Sequence, residues 1–208
     1  TTDIQFITTG GAAMYIDSLT AANTATSTGL VQFNSAGDIT VSGSTLTFNM
    51  AGNGFANGIN IHAQSGTLNL NTGVTVTTGG LVLRGQTGVS IASGLTFTAG
   101  DAMFLQRLTG SGNITVAGAA TFNAGNGITV DENLNASGDL IFNADSDNNG
   151  TGDFAISAGE MLTTNNNNLN ITAADFNLNI TGVINAGTAG DVTILVSNGG
   201  VINVGATT

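Results

Sequence analysis

Apolar residues recur at every second position along this chain, in short runs between clusters of Gly, Asn, Asp, Ser and Thr. From residue 29 the rhythm is steady. Val31-Gln-Phe33, Ile39-Thr-Val41, Leu46-Thr-Phe48, Ile59-Asn-Ile61 and Leu68-Asn-Leu70 lead to Val74-Thr-Val76, Leu81-Val-Leu83, Val89-Ser-Ile91 and Leu95-Thr-Phe97. After a gap come Ile114-Thr-Val116, Thr121-Phe122, Ile128-Thr-Val130, Leu140-Ile-Phe142 and Phe154-Ala-Ile156. Leu169-Asn-Ile171, Leu178-Asn-Ile180, Val183-Ile184, Val192-Thr-Ile194 and Val201-Ile-Asn-Val204 close the series. Alternation with a period of two marks strands with one buried face, and no window of about a dozen residues carries a helical stripe. Residues 1–28 are less regular. They hold strand-like fragments at Ile4, Phe6 and Met14–Ile16, followed by an aperiodic stretch over 18–28. The pattern divides the chain into an irregular first rung, 1–28, and one continuous run of β-repeats, 29–208.

Short strands starting about 6–13 residues apart suit either a sandwich or a β-solenoid. Longer repeats decide between them. Gly43-Ser-Thr-Leu46-Thr-Phe48 recurs as Gly66-Thr-Leu68-Asn-Leu70, and Thr47-Phe48-Asn-Met-Ala51-Gly52 recurs as Thr96-Phe97-Thr-Ala99-Gly100 and Thr121-Phe122-Asn-Ala124-Gly125. The implied period of about 22–25 residues is that of a repeat architecture, and three short strands fill one period. The expected fold is all-β, a parallel β-helix (β-solenoid) with about three short strands per coil. Coils stack about 4.8 Å apart, so about nine of them make a rod roughly 40 Å long. Val, Ile, Leu and Phe point inward and Thr, Ser and Asn outward, while the corner Asn165-Asn166-Asn167-Asn168 suits left-handed turns.

Composition agrees. Charged residues make up 7% of the 208, against about 25% in ordinary globular chains, so uncharged polar side chains must coat the surface. A hydrophobic content of 41% argues against disorder. The absence of proline leaves every strand able to donate to its ladder. A net charge of −11 with two basic residues excludes neutralising a nucleic-acid backbone and disfavours an anionic membrane surface. No apolar run approaches the roughly 20 residues of a membrane helix. No charged-then-apolar leader opens the chain, which reads as a mature or internal piece. Without cysteine, stability must come from stacking rather than disulfides.

The segments Gly138-Asp-Leu-Ile-Phe-Asn-Ala-Asp-Ser-Asp-Asn-Asn-Gly-Thr-Gly-Asp-Phe154, Leu169-Asn-Ile-Thr-Ala-Ala-Asp175-Phe-Asn-Leu178 and Ile184-Asn-Ala-Gly-Thr-Ala-Gly-Asp191-Val-Thr-Ile194 resemble a known class of repeat. So do Gly199-Gly-Val-Ile-Asn-Val-Gly-Ala-Thr207 and Ala36-Gly-Asp-Ile-Thr-Val-Ser-Gly43. They are similar to the repeats of filamentous-haemagglutinin-like, β-strand-repeat bacterial surface proteins. The likeness covers roughly residues 30–208. It implies a right-handed parallel β-helix, export to the cell surface, and a role as shaft or adhesin. No secretion domain of that family is present in this sequence.

Few residues can carry chemistry. Asp145-Ser-Asp147-Asn-Asn149-Gly150-Thr-Gly-Asp153 places oxygen donors at the first, third, fifth and ninth positions with Gly at the sixth, as in the first half of a calcium loop. Ile156 stands where the closing bidentate Glu belongs. Asp145, Asp147, Asn149 and Asp153 are therefore either calcium ligands or a solvated Asx-rich corner; no cofactor is otherwise required. His62, the one histidine, has no Cys or second His nearby to share a metal. Arg84 and Arg107, 23 positions apart, could stack on adjacent coils near Asp101 or Asp131, or stand as isolated surface charges. Gly52-Asn-Gly54 and Gly110-Ser-Gly112 precede no helix and carry no Lys, so they are turn glycines. The chain has no Trp, and most of its ten Phe fall at inward positions. The expected function is therefore structural and not enzymatic: a rod of a bacterial extracellular or cell-surface fibre whose partner is itself, end to end or laterally. The alternative is an adhesin segment whose lateral face binds a glycan or surface protein. More remote is a polysaccharide-active enzyme, which needs converging carboxylates.

Overall fold

The computed structural model describes residues 4–17, 29–50, 58–106, 112–178 and 181–199. The chain passes through three parallel sheets in rotation. The first sheet stacks Ile4–Thr8, Val31–Ser35, Ile59–Ala63, Leu81–Gly85, Met103–Gln106, Ile128–Val130, Asp153–Ile156 and Asp175–Leu178. The second stacks Met14–Asp17, Ile39–Ser42, Thr67–Leu70, Gly88–Ile91, Ile114–Val116, Leu134–Ala136, Met161–Thr163 and Val183–Asn185. The third stacks Leu46–Phe48, Val74–Val76, Leu95–Ala99, Ala120–Ala124, Leu140–Asn143, Leu169–Ala173 and Val192–Val196. This is a β-solenoid of about seven turns with three strands per coil.

Alternation sets which side chains face inward. Val31–Ser35 and Ile59–Ala63 each run buried, half-buried, buried, half-buried, buried. Like residues then stack along the axis. Phe97, Phe122 and Phe142 form a column with ring centroids 5.4 and 4.9 Å apart and planes tilted by 13° and 10°. Phe154 of the first sheet packs against Phe142 at 4.9 Å with its ring tilted by 54°, and Phe176 stacks on Phe154 at 5.7 Å. Burying each such side chain contributes about 1.5–3 kcal/mol, and each ring pair adds about 0.5–1.5 kcal/mol.

The register corrects several details of the sequence reading. Phe97 stacks on Phe122, but Phe48 stacks on Val76, which pairs with Ala99, so the Phe48–Phe97 likeness is two positions out of step. Leu46 and Leu68 lie in different sheets, the third and the second. Residues 4–17 of the first rung already pair in register with the next turn. The stretch 18–28 and the expected strand Val201–Val204 lie outside the described residues. Strands at Met103–Gln106, Leu134–Ala136 and Met161–Thr163 come where the sequence showed no clear alternation. A strand spans Asp175–Leu178, with Phe176 continuing the column of Phe154, and of the strand expected at Leu178–Ile180 residues 179–180 lie outside the described residues.

Corners bring in the acidic residues. Asp139 Oδ1 accepts the backbone N–H of Asn168 at 2.8 Å, and Asn168 Oδ1 accepts that of Asp191 at 3.1 Å. Asp38 Oδ1 accepts Thr67 N–H at 2.8 Å, and Asn133 Oδ1 accepts Met161 N–H at 2.8 Å. Where the ladder lapses between strands, a side-chain oxygen of one turn takes the N–H that starts the next strand, satisfying a donor that must not be left unpaired. Lys and Arg cannot do this, because they offer no acceptor. The acidic balance of the chain is in part a by-product of corner chemistry.

Candidate functional site

The loop between the third-sheet strand Leu140–Asn143 and the first-sheet strand Asp153–Ile156 is organised by Asp145, which is 2% exposed. Its Oδ1 accepts Asn149 N–H at 3.0 Å. Its Oδ2 accepts Gly150 N–H at 3.1 Å and the Ser197 hydroxyl at 2.5 Å. Asp147 accepts from the side chain of Asn149 at 2.8 Å, and Asn149 Oδ1 accepts Thr151 N–H at 2.8 Å. Asn148 and Gly150 take positive φ values of 55° and 83°, which fold the loop back on itself. Burial acts to raise the Asp145 pKa, but the Ser197 hydroxyl and the Gly150 and Asn149 amides outweigh it and hold the carboxyl below its ordinary range.

Asp145, Asp147 and Asn149 are thus brought together, and their oxygens face N–H and O–H donors. A hard cation would need those same lone pairs. Asp153 is not part of this cluster. It begins the strand Asp153–Ile156, exposed and paired in register with Asp175. Among the described residues no three His, Cys, Asp or Glu side chains group to hold a metal. The corner reading accounts for the loop geometry without calcium.

One outer row of the first sheet gathers rare residues. Asn34, His62, Arg84 and Gln106 are successive register partners. Asp131, directly after Ile128–Val130, continues the row and accepts a hydrogen bond from Ser157 one turn on. Burial, and then the Arg84 guanidinium, depress the His62 pKa below 6.5. Burial also lowers that of Arg84, with Asp131 opposing. His62 Nε2 and Arg84 Nε are buried without hydrogen-bond partners. Arg84 pairs in register with Gln106, and Arg107 lies outside the described residues. Asp101, 9% exposed, sits at a corner before Met103–Gln106 rather than in this row.

Beside that row runs a groove of about 520 Å³. Its floor is a second outward row, Phe104, Thr129, Ala155 and Asn177, aligned through four successive turns. Its wall is the loop segment Gly150–Asp153 with Asn126 and Gly127. The wall is braced: Asp145 grips its base, and Ala174 N–H donates to the Gly152 carbonyl at 2.9 Å. The sequence reading missed the floor residues. Thr129, Ala155 and Asn177 are unremarkable alone, and only register joins them into one row.

The other two faces differ in kind. One outward row of the second sheet reads Tyr15, Thr40, Asn69, Ser90, Thr115, Asn135, Thr163, Asn185, and the exposed Asp17 stands two positions beyond Tyr15. One outward row of the third reads Thr47, Thr75, Thr98, Asn123, Asn143, Thr172. His62, Arg84, Asp153 and Asp175 belong to strands of the first sheet, while Asp17 ends the first strand of the second. No family model, curated protein or solved structure matches the chain.

Proposed function

We propose that this chain is a structural rod, a shaft segment of a bacterial extracellular or cell-surface fibre. One observation carries the reading. All three sheets stop, among the described residues, at edges that still carry core-type side chains. Ile4 and Phe6 are each 46% exposed on the first strand although their register partners Val31 and Phe33 are buried, and Phe6 already stacks on Phe33 at 4.9 Å. At the far side Val192, the register partner of buried Leu169, stands exposed on its last strand. Parallel edges with no neighbouring strand among the described residues, over an apolar column, invite another layer. That layer is supplied by more of the same polypeptide or by a second copy stacked end to end. The uncharged Thr and Asn ladders and the likeness of the repeats to filamentous-haemagglutinin-like surface proteins support the extracellular placement. Among the described residues no helix is long and apolar enough to cross a membrane.

Sedimentation across a concentration series tests the stacking. The chain is expected to grow from single rods into species of increasing mass. Ile4→Lys, which puts a charge on the core column of the joint, is expected to hold it at the single-rod mass while its melting temperature stays near wild type. Monodisperse single rods of the wild type at every concentration would sink the end-to-end form of the proposal.

A further inference from the structure

We infer that the groove on the first sheet is a binding site for a neutral, extended glycan chain lying along the solenoid axis. The shape comes first. Four register-aligned side chains, Phe104, Thr129, Ala155 and Asn177, form a floor about 14 Å long at the strand spacing. A linear polymer is the ligand whose own repeat runs with such a row. The wall is built before any ligand arrives. Asp145 ties down Asn149 and Gly150, and any side chain at Gly152 would collide with the Ala144 carbonyl. A preformed cleft with a few convergent polar groups is the ordinary form of a binding site.

The lining chemistry selects the class. Thr129 offers a hydroxyl, Asn126 and Asn177 offer amides, and Phe104 contributes a half-buried apolar ring. Such a set suits a ligand with alternating C–H faces and hydroxyl edges. Asp153 lines the groove, and Asp175 stands beside it in register at the same rim, giving carboxylate acceptors for hydroxyl donors. Among the described residues no Lys or Arg lines the groove, and the chain carries a net −11. Like charge therefore turns away anionic polysaccharides. The neighbouring faces carry mainly Thr and Asn ladders, whereas this groove sets an aromatic ring beside amides, a hydroxyl and carboxylate acceptors. The site adds a lateral attachment to the rod and does not depend on whether rods stack.

Calorimetric titration of the intact chain with cellotetraose, chitotetraose and mannotetraose, with tetragalacturonate as the anionic control, tests the inference. At least one neutral tetrasaccharide is expected to bind and tetragalacturonate to give no heat. Ala155→Trp, which fills the floor, and Asn177→Ala, at an exposed position, are each expected to weaken that binding about tenfold or more, the equivalent of one good polar contact. Their melting temperatures are expected to stay near wild type. Three results would overturn the inference: no binding by any neutral sugar, equal binding by wild type and the well-folded Asn177→Ala chain, or preference for tetragalacturonate.

Discussion

Phe122 lies between Phe97 and Phe142 with its ring parallel to both, so removing it opens a cavity that touches two neighbouring turns. Phe122→Ala is expected to cost about 3–5 kcal/mol in denaturant unfolding; a loss under about 1 kcal/mol would mean that the column is not packed as described. Asp145 works differently, by gathering donors. Because its folded pKa is depressed, its contribution is complete above the unfolded carboxylate value of about 4 and is lost as pH falls through the lower folded value. His62 acts in the next window up. Its imidazole is held neutral by burial and by Arg84, so stability is complete above pH 6.5 and declines as pH falls from there toward the depressed folded pKa. His62→Gln is expected to abolish the decline in that upper window and leave the acid limb set by Asp145. An unchanged pH profile for His62→Gln would contradict this. The calcium-like spacing of Asp145, Asp147 and Asn149 was legible in the sequence, but spacing alone does not say what those oxygens face. They face backbone amides and the hydroxyl of Ser197, which is 52 positions away. Chelation is accordingly expected to leave the melting temperature unchanged.

Strands and corners divide the labour within each turn. Strands hold register while corners absorb length: Phe122 pairs with Phe142, twenty residues on, whereas Ile39 pairs with Leu68, twenty-nine residues on. This is why alternation located most strands yet a fixed period misaligned Leu46 with Leu68. Leu134-Asn-Ala136 escaped the pattern because its second inward residue is a small Ala rather than a branched apolar side chain, and burial of Ala136 shows that the position still faces the core. Corners also fix which residues are tolerated. At Gly58 a Cβ would overlap the Gly80 carbonyl oxygen of the next turn. Gly58→Ala should therefore destabilise by more than about 1 kcal/mol, the reverse of the usual gain from replacing a flexible glycine. Equal or greater stability in that variant would show the corner to be looser than described. The groove stayed hidden for the same reason as the misalignment. Its floor is a property of register across four turns of unequal length, and no single segment contains it.

The whole molecule is a stack in which each turn rests on its two neighbours, so stability should approximate a sum of turn-to-turn terms. Native-state hydrogen exchange is expected to show protection highest in the middle turns around Phe97–Phe142 and falling toward Ile4–Thr8 and Val192–Val196, whose outer edges lack a described neighbour. Three long parallel sheets, outward ladders rich in Thr and Asn, and exposed core columns at the edges together describe a body suited to extension along its axis, with the grooved first sheet free to meet a glycan. The most direct test is high-resolution electron microscopy of the purified chain as its concentration is raised. The account predicts filaments of three-sided cross-section whose strands repeat about every 4.8 Å along the filament axis and run without a break from one copy into the next. Strands running along the axis would contradict it, as would only separate short rods at every concentration.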